Sequence, residues 1–227
     1  MNFPRPVTQI HEIELSSRCN LACTYCPNPT MSREKLDMSE DVYFQALSVV
    51  NHYVSRGTQG ELALTGVGEA LLNPYFADAV LMAREIIGDR LLTFSTNGIL
   101  LTDELIDKIK PAKPVIYVSL HRPEVAALAI DRCRKHGLQV GHNHSFATSS
   151  LNWVQDVDWY VSSTPSTCEY LRSGWAVIRA DGTIGTCCWD AETKVSKIGT
   201  VWDDPESLVT APHEACKKCS LLVPEAA

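Results

Sequence analysis

The chain has 227 residues, 45% of them apolar and 21% charged, with a formal net charge of −7, which suits a globular protein of one domain plus a small appendage. The acidic balance, with a pI near 5.5, argues against nucleic acid as the main partner, because phosphate binding wants a basic face. The start Met1-Asn2-Phe3-Pro4-Arg5-Pro6 has no apolar signal core and no run reaches the roughly 18 apolar residues of a membrane span, so a cytoplasmic protein without a membrane partner is expected.

Residues 10–16 read as a strand leading into a first cysteine loop. Ser39 is an N-cap, and the helix after it has Val42, Ala46, Val49 and Val50 on one face. Residues 61–65 form a second strand. Asn73 caps and Pro74 opens a helix running to about Gly88. Residues 91–95 are a third strand, a helix capped by Thr102 runs to Lys110, and residues 115–120 are a fourth strand. Pro123 opens a helix that Gly137 closes. Residues 138–146 make a fifth strand, and a weaker sixth lies near 159–163. This alternation implies a parallel sheet with helices outside. The units are too few for a closed eight-fold barrel, which leaves an open partial barrel or a doubly wound sheet. The expected fold is α/β, a partial (β/α)6 TIM-like barrel over residues 1–164, with its chemistry at the C-terminal ends of the strands. The rhythm then changes. Residues 175–180, Asp181-Gly182 and residues 183–188 read as a hairpin with a type I′ turn, inside a small cysteine-rich module of residues 165–227.

Nine cysteines, clustered and odd in number, point to metal or redox chemistry more than to disulfides in a cytosolic chain. Cys19, Cys23 and Cys26 have the spacing C-x3-C-x2-C, and three thiolates from one loop can each take one iron of a cubane. Structural zinc is the alternative, but it commonly takes four ligands in two C-x2-C pairs. Polar residues recur at the expected strand ends. Gly66 and Gly68 would let the backbone approach a ligand, and Glu69 can accept from an ammonium group; a plain tight turn is the alternative. A dinucleotide fingerprint fails at Leu71. Ser95, Thr96 and Asn97 precede Gly98 in what is otherwise an Asn-Gly turn. Ser119 and His121 end the fourth strand. On the fifth, either His142 and His144 or Asn143 and Ser145 face the interior, and either pair suits a polar substrate or proton transfer.

The three-cysteine spacing, with Tyr25 just before the third cysteine, resembles the radical S-adenosylmethionine (AdoMet) superfamily. The resemblance implies a 4Fe–4S cluster on Cys19, Cys23 and Cys26 whose open iron chelates AdoMet. It implies one-electron cleavage to a 5′-deoxyadenosyl radical that removes a hydrogen atom from substrate. It also implies cofactor-binding roles for Tyr25, Gly66, Gly68, Glu69, Ser95, Asn97 and Ser119, although Ala70 stands where the family often has proline. Cys168, thirteen residues, Gly182, four residues and Cys187, followed by Cys216 and Cys219, resemble the SPASM and shorter twitch extensions of that family. This implies an auxiliary 4Fe–4S cluster on Cys168, Cys187, Cys216 and Cys219, against a four-cysteine zinc site as the alternative. No further cysteine follows before Ala227, so one auxiliary cluster is expected. Neighbouring strand residues point to opposite faces, so Cys187 and Cys188 should not both bind one cluster. Cys188 is a bystander, a replacement ligand or a thiol hydrogen donor, and Cys133 a buried free thiol. The candidate catalytic groups are His144 and Cys188.

The function expected is an oxidoreductase that performs a two-electron oxidation of a small polar substrate, as in twitch-type aminocyclitol alcohol dehydrogenases. Its electron donor would be a flavodoxin or ferredoxin. The alternatives are a peptide maturase that crosslinks or epimerises residues, and a non-enzymatic zinc-binding interaction protein.

Overall fold

Strand and helix segments alternate as the apolar pattern requires. The computed structural model describes residues 3–24, 26–143, 168–188, 190–214 and 216. Its elements in chain order are β1 (Arg5–Pro6), β2 (Gln9–Ile13), α1 (Glu40–Ser55), β3 (Leu62–Ala63), α2 (Phe76–Ile87), β4 (Leu92–Thr96), α3 (Asp103–Ile109), β5 (Val115–Ser119), α4 (Pro123–Lys135) and β6 (Val140–Asn143), then α5 (Glu169–Ser173), β7 (Trp175–Ile178), β8 (Thr183–Gly185), β9 (Lys197–Thr200) and β10 (Val209–Thr210). Ser39 caps α1 by accepting from the Val42 N–H at 3.3 Å, and Glu40 and Asp41 sit in the first turn, where the helix dipole favours them. α1 buries Tyr43, Ala46, Leu47, Val49, Val50 and Tyr53, whereas Val42 is only partly buried. Thr102 caps α3 in the same way.

Asn73 does not cap a helix. Residues 70–72 form a short 3-10 turn, and α2 starts only at Phe76, without a side-chain cap. Asn73 is buried, and its amide donates to Leu15 O at 2.8 Å and Met38 O at 3.0 Å. A buried amide satisfied by two distant carbonyls ties three chain segments together.

One sheet carries eight strands in the order β6-β5-β4-β3-β2-β7-β8-β9. From β2 to β6 all pairings are parallel. Each strand adds on the same side of its predecessor, whereas a doubly wound sheet reverses direction at a switch point. Sequential addition is how a barrel grows, so the partial TIM-like barrel stands. The strand expected near 159–163 and the boundary near 164 lie outside the described residues.

The cysteine-rich segment is stitched onto this sheet. β7 pairs in parallel with β2, and β8 and β9 follow antiparallel. The first barrel strand is thereby spared a free edge with unpaired backbone groups. The hairpin turn differs from expectation. A type I′ turn needs positive φ at both central residues, but only Gly182 is left-handed, at φ 83°. Its N–H donates to Arg179 O at 2.8 Å, which is the three-residue loop with glycine in the left-handed position. Among the described residues, no helix is long and apolar enough to cross a membrane.

Candidate active site

Parallel strands end together, so the loops that follow them share one opening. At the C-terminal edge of the sheet lies a cavity of about 280 Å³. The loop after β2 lines it with Cys19, Cys23 and Cys26, and the loop after β3 with Gly66, Gly68 and Glu69. The end of β4 adds Ser95, Thr96 and Asn97, and that of β5 adds Ser119 and His121. Cys188 enters from beyond the hairpin and Glu12 from β2 itself. His142 is paired with Val118, one residue off Ser119, and is exposed; it does not line the cavity. Tyr25, His144, Ser145 and Cys219 lie outside the described residues.

The glycine-rich wall is bonded to itself. Glu69, 3% exposed, accepts from Thr96 Oγ1 and the Asn97 N–H, both at 2.8 Å, and from the Leu71 N–H at 3.3 Å. Burial raises its carboxyl while these bonds pull it back. The Asn97 amide donates to Asn20 Oδ1 at 2.7 Å, so the end of β4 holds the cysteine loop directly. The glycines make room for protein. A Cβ on Gly68 would strike the carbonyls of Ser16 and Arg18, and one on Gly66 would strike the Glu14 side chain. Asn28, which the sequence reading missed, is buried and donates to Ser17 O at 2.7 Å and Val67 O at 3.2 Å. Burial pushes the Cys26 thiol up to about 11 and raises that of Cys19. Such thiols ionise when a metal supplies positive charge.

The opposite wall is built on buried charge. Glu14 is fully buried and fully used: Arg33 Nη2 donates to it at 2.7 Å, and the Val67 and Ala180 N–H groups each at 3.1 Å. Glu12 is paired with Arg179 Nη1 at 3.2 Å. Burial pushes its carboxyl up to about 7, opposed by Arg179 and reinforced by Glu14. Arg179 also donates to the carbonyls of Cys187, Cys188 and Asp190 at 3.0, 3.1 and 3.2 Å. The β2–β7 register slips between Ile10 and Glu12, a bulge of the sort that re-aims a side chain beside a site. Burial, Cys187 and Glu12 hold the Cys188 thiol well above its ordinary range, while the Tyr170 hydroxyl and Arg179 pull it back. Glu12 and Arg179 were also missed. The available signal was Glu12-x-Glu14 in a strand that a barrel buries, where charge needs a partner or a function.

Cys168, Cys187 and Cys216 are half-buried and do not line this cavity, whereas Cys188 does. The expected strand over residues 183–188 ends at Gly185, so both cysteines lie in the loop beyond it and strand alternation is not what separates them. Cys216 Sγ accepts from the His213 N–H at 3.4 Å. Among the described residues, no three His, Cys, Asp or Glu side chains gather as one metal ion would need. Cys133 is fully buried, its thiol pushed up to about 11. The C-terminal segment also grips the cysteine loop: Glu192 accepts from the Ser32 N–H at 2.5 Å and the Arg33 N–H at 3.0 Å.

A family model described as the Radical SAM superfamily matches residues 13–140. The chain is 33% identical over 98 residues to the tungsten-containing aldehyde ferredoxin oxidoreductase cofactor-modifying protein of Pyrococcus furiosus, a match covering 43% of this chain and 26% of that protein. It is 34% identical over 112 residues to molybdenum cofactor biosynthesis protein 1 of Bos taurus, covering 48% and 17%. The chain thus spans about a quarter or less of these relatives' lengths. The crystal structure of BtrN in complex with AdoMet and 2-DOIA superposes with a TM-score of 0.67 at 21% identity, over 88% of this chain and 80% of that one. Native anSMEcpe with bound AdoMet and Kp18Cys peptide does so with a TM-score of 0.63 at 15% identity, over 93% and 86%. These last two are likenesses of fold.

Proposed function

The chain belongs to the radical SAM superfamily, and we propose that it catalyses a two-electron oxidation of a polar substrate, a dehydrogenation assisted by a second 4Fe–4S cluster. Members use a 4Fe–4S cluster with AdoMet, which together supply a radical able to take a hydrogen atom from unactivated carbon. One observation carries the reading: the three-cysteine loop, the polar strand ends and a residue of the C-terminal segment open onto one cavity. Cys19, Cys23 and Cys26 would hold the first cluster, since three thiols from one loop open on that space. The turn at Gly66, Gly68 and Glu69 offers backbone and a carboxylate whose oxygens can accept more than one bond each, suited to the AdoMet amino group. Ser95, Asn97 and Ser119, with Tyr25, are the remaining cofactor contacts. Cys168, Cys187, Cys216 and Cys219 would hold the second cluster, in a module of residues 165–227 on a core of residues 1–164. Arg179 fixes the carbonyls of Cys187 and Cys188 and so keeps one cysteine toward the cavity and the other away. His144 remains a candidate for proton transfer.

The position of Cys188 favours a second reading, peptide epimerisation. There a thiol would return a hydrogen atom to the opposite face of the reacting carbon, and an external donor with a proton would restore the S–H bond.

Anaerobic reconstitution with AdoMet and dithionite, followed by assay of 5′-deoxyadenosine, tests the chemistry. Wild type should form it and Cys26→Ala should form none. Iron should count about eight per chain in wild type and about four in Cys216→Ala. About four in both, or zinc in their place, would sink the second cluster. Cys188→Ala should abolish an epimerisation and slow an oxidation far less. In the cell a flavodoxin- or ferredoxin-type donor would replace dithionite.

A further inference from the structure

A second cavity, of about 330 Å³, lies in the C-terminal segment. Thr186, Ser196, Lys197, Val209 and His213 are in its lining, and it shares no residue with the first cavity. Two polar atoms of these residues, Ser196 Oγ and His213 Nδ1, are buried and have no partner among the described residues. Buried polar atoms are nearly always paired, so each such orphan marks a missing partner. For His213 the chain sets one candidate beside it. The Cys216 N–H donates to His213 O at 2.9 Å, and the His213 N–H donates to Cys216 Sγ at 3.4 Å, so imidazole and thiol belong to one tight turn. Thr186, in the same lining, directly precedes Cys187 and donates from its N–H to Ser196 O at 3.0 Å. Both orphans therefore sit close in the fold to cysteines assigned above to the second cluster. Cluster sulfurs accept hydrogen bonds, and a neutral imidazole with its proton on Nδ1 is the matching donor. On one-electron reduction a 4Fe–4S cluster gains negative charge and no proton. A donor at sulfur stabilises that charge and raises the potential.

We propose that His213 tunes the second cluster: its Nδ1–H donates to the sulfur of Cys216 or of the cluster and raises the potential at which the cluster takes up the electron released by the oxidation. The inference rests on reading Cys168, Cys187, Cys216 and Cys219 as ligands of that cluster.

The holoprotein is reconstituted anaerobically, and the reduced clusters are followed by EPR during a titration with dithionite. Cys26→Ala, which lacks the first cluster, identifies the signal of the second. About eight irons per chain are expected. His213→Ala should keep them and make the reduced second cluster roughly tenfold harder to reach, a fall of about 59 mV in its midpoint. His213→Asn, whose amide N–H stands near the place of Nδ1–H, should come within about threefold of wild type. With isotopically labelled histidine, pulsed EPR of the reduced second cluster should show a weak nitrogen coupling that His213→Ala removes. An unmoved or higher midpoint in His213→Ala, a His213→Asn that behaves as His213→Ala does, or a coupling as strong as that of an iron-bound imidazole overturns the inference. Where His213→Ala does not hold iron, the wild-type coupling and the His213→Asn midpoint decide. About four irons in wild type overturns the second cluster and the inference together, whereas eight irons with an unmoved midpoint overturns the inference alone.

Discussion

The two walls of the cavity use polar groups in opposite ways. On the glycine-rich wall, Glu69, Asn97 and Asn28 spend their hydrogen bonds on neighbouring chain segments. That wall is a frame: it holds three loops at fixed spacing and offers backbone and residual lone pairs inward. On the other wall, Glu12 keeps an oxygen without a described donor and Cys188 keeps a thiol. Groups left open in a cavity are where selectivity and chemistry reside, whereas saturated groups give the rigidity that positions them.

Substitutions should separate the walls. The largest stability effect is expected from Arg179→Met, which strips Glu12 of its partner and takes a donor from the Cys187, Cys188 and Asp190 carbonyls, of which Asp190 O keeps the Thr193 N–H. Urea unfolding should show a loss of about 3–5 kcal/mol, partly recovered in the double variant Glu12→Gln/Arg179→Met. If the double variant recovers nothing, the ion pair is not what Arg179 mainly serves. Next comes pH. The folded protein keeps Glu12 protonated up to about pH 7, whereas the usual Glu value is 4.5. Folding therefore takes up a proton between those values, and the stabilisation present below that window is lost as pH rises through it. Wild type should lose on the order of 3 kcal/mol relative to Glu12→Gln across the window, visible as a converging or crossing thermal midpoint. Parallel curves would show that the open wall carries no such carboxyl.

The framed wall should respond less and differently. Gly68→Ala forces a methyl against the Ser16 and Arg18 carbonyls, and should cost about 1–3 kcal/mol together with a loss of 5′-deoxyadenosine formation as the cysteine loop shifts. Asn28→Ala removes a buried amide and leaves the Ser17 and Val67 carbonyls short of a donor, worth about 1–2 kcal/mol. Neither substitution should move the pH window set by Glu12; if one does, the two walls are not independent.

Much of the architecture was legible in the chain. Short β-rich runs alternating with helical stretches announced a parallel barrel, and C-x3-C-x2-C placed a metal loop after its first strand. Local signals carried these, because caps, turns and loop ligands lie within a few residues of each other. Asn73 and the Asp181-Gly182 turn misled for the same reason. The Asn73 oxygen does accept from the Tyr75 N–H, but in a turn ahead of α2, while its amide is tied to the Leu15 and Met38 carbonyls, and a two-residue loop was assumed where Gly182 closes a three-residue one.

By itself, the sequence determined the family, the barrel and the cysteine loop. Only the tertiary structure decided that Cys188, not Cys187, faces the cavity, that Gly68 yields to backbone, and that Glu12 stands on the wall. The reason is distance along the chain. Arg179 and Glu12 are 167 residues apart, and no periodicity or spacing tells two such residues that they will meet when β7 pairs with β2.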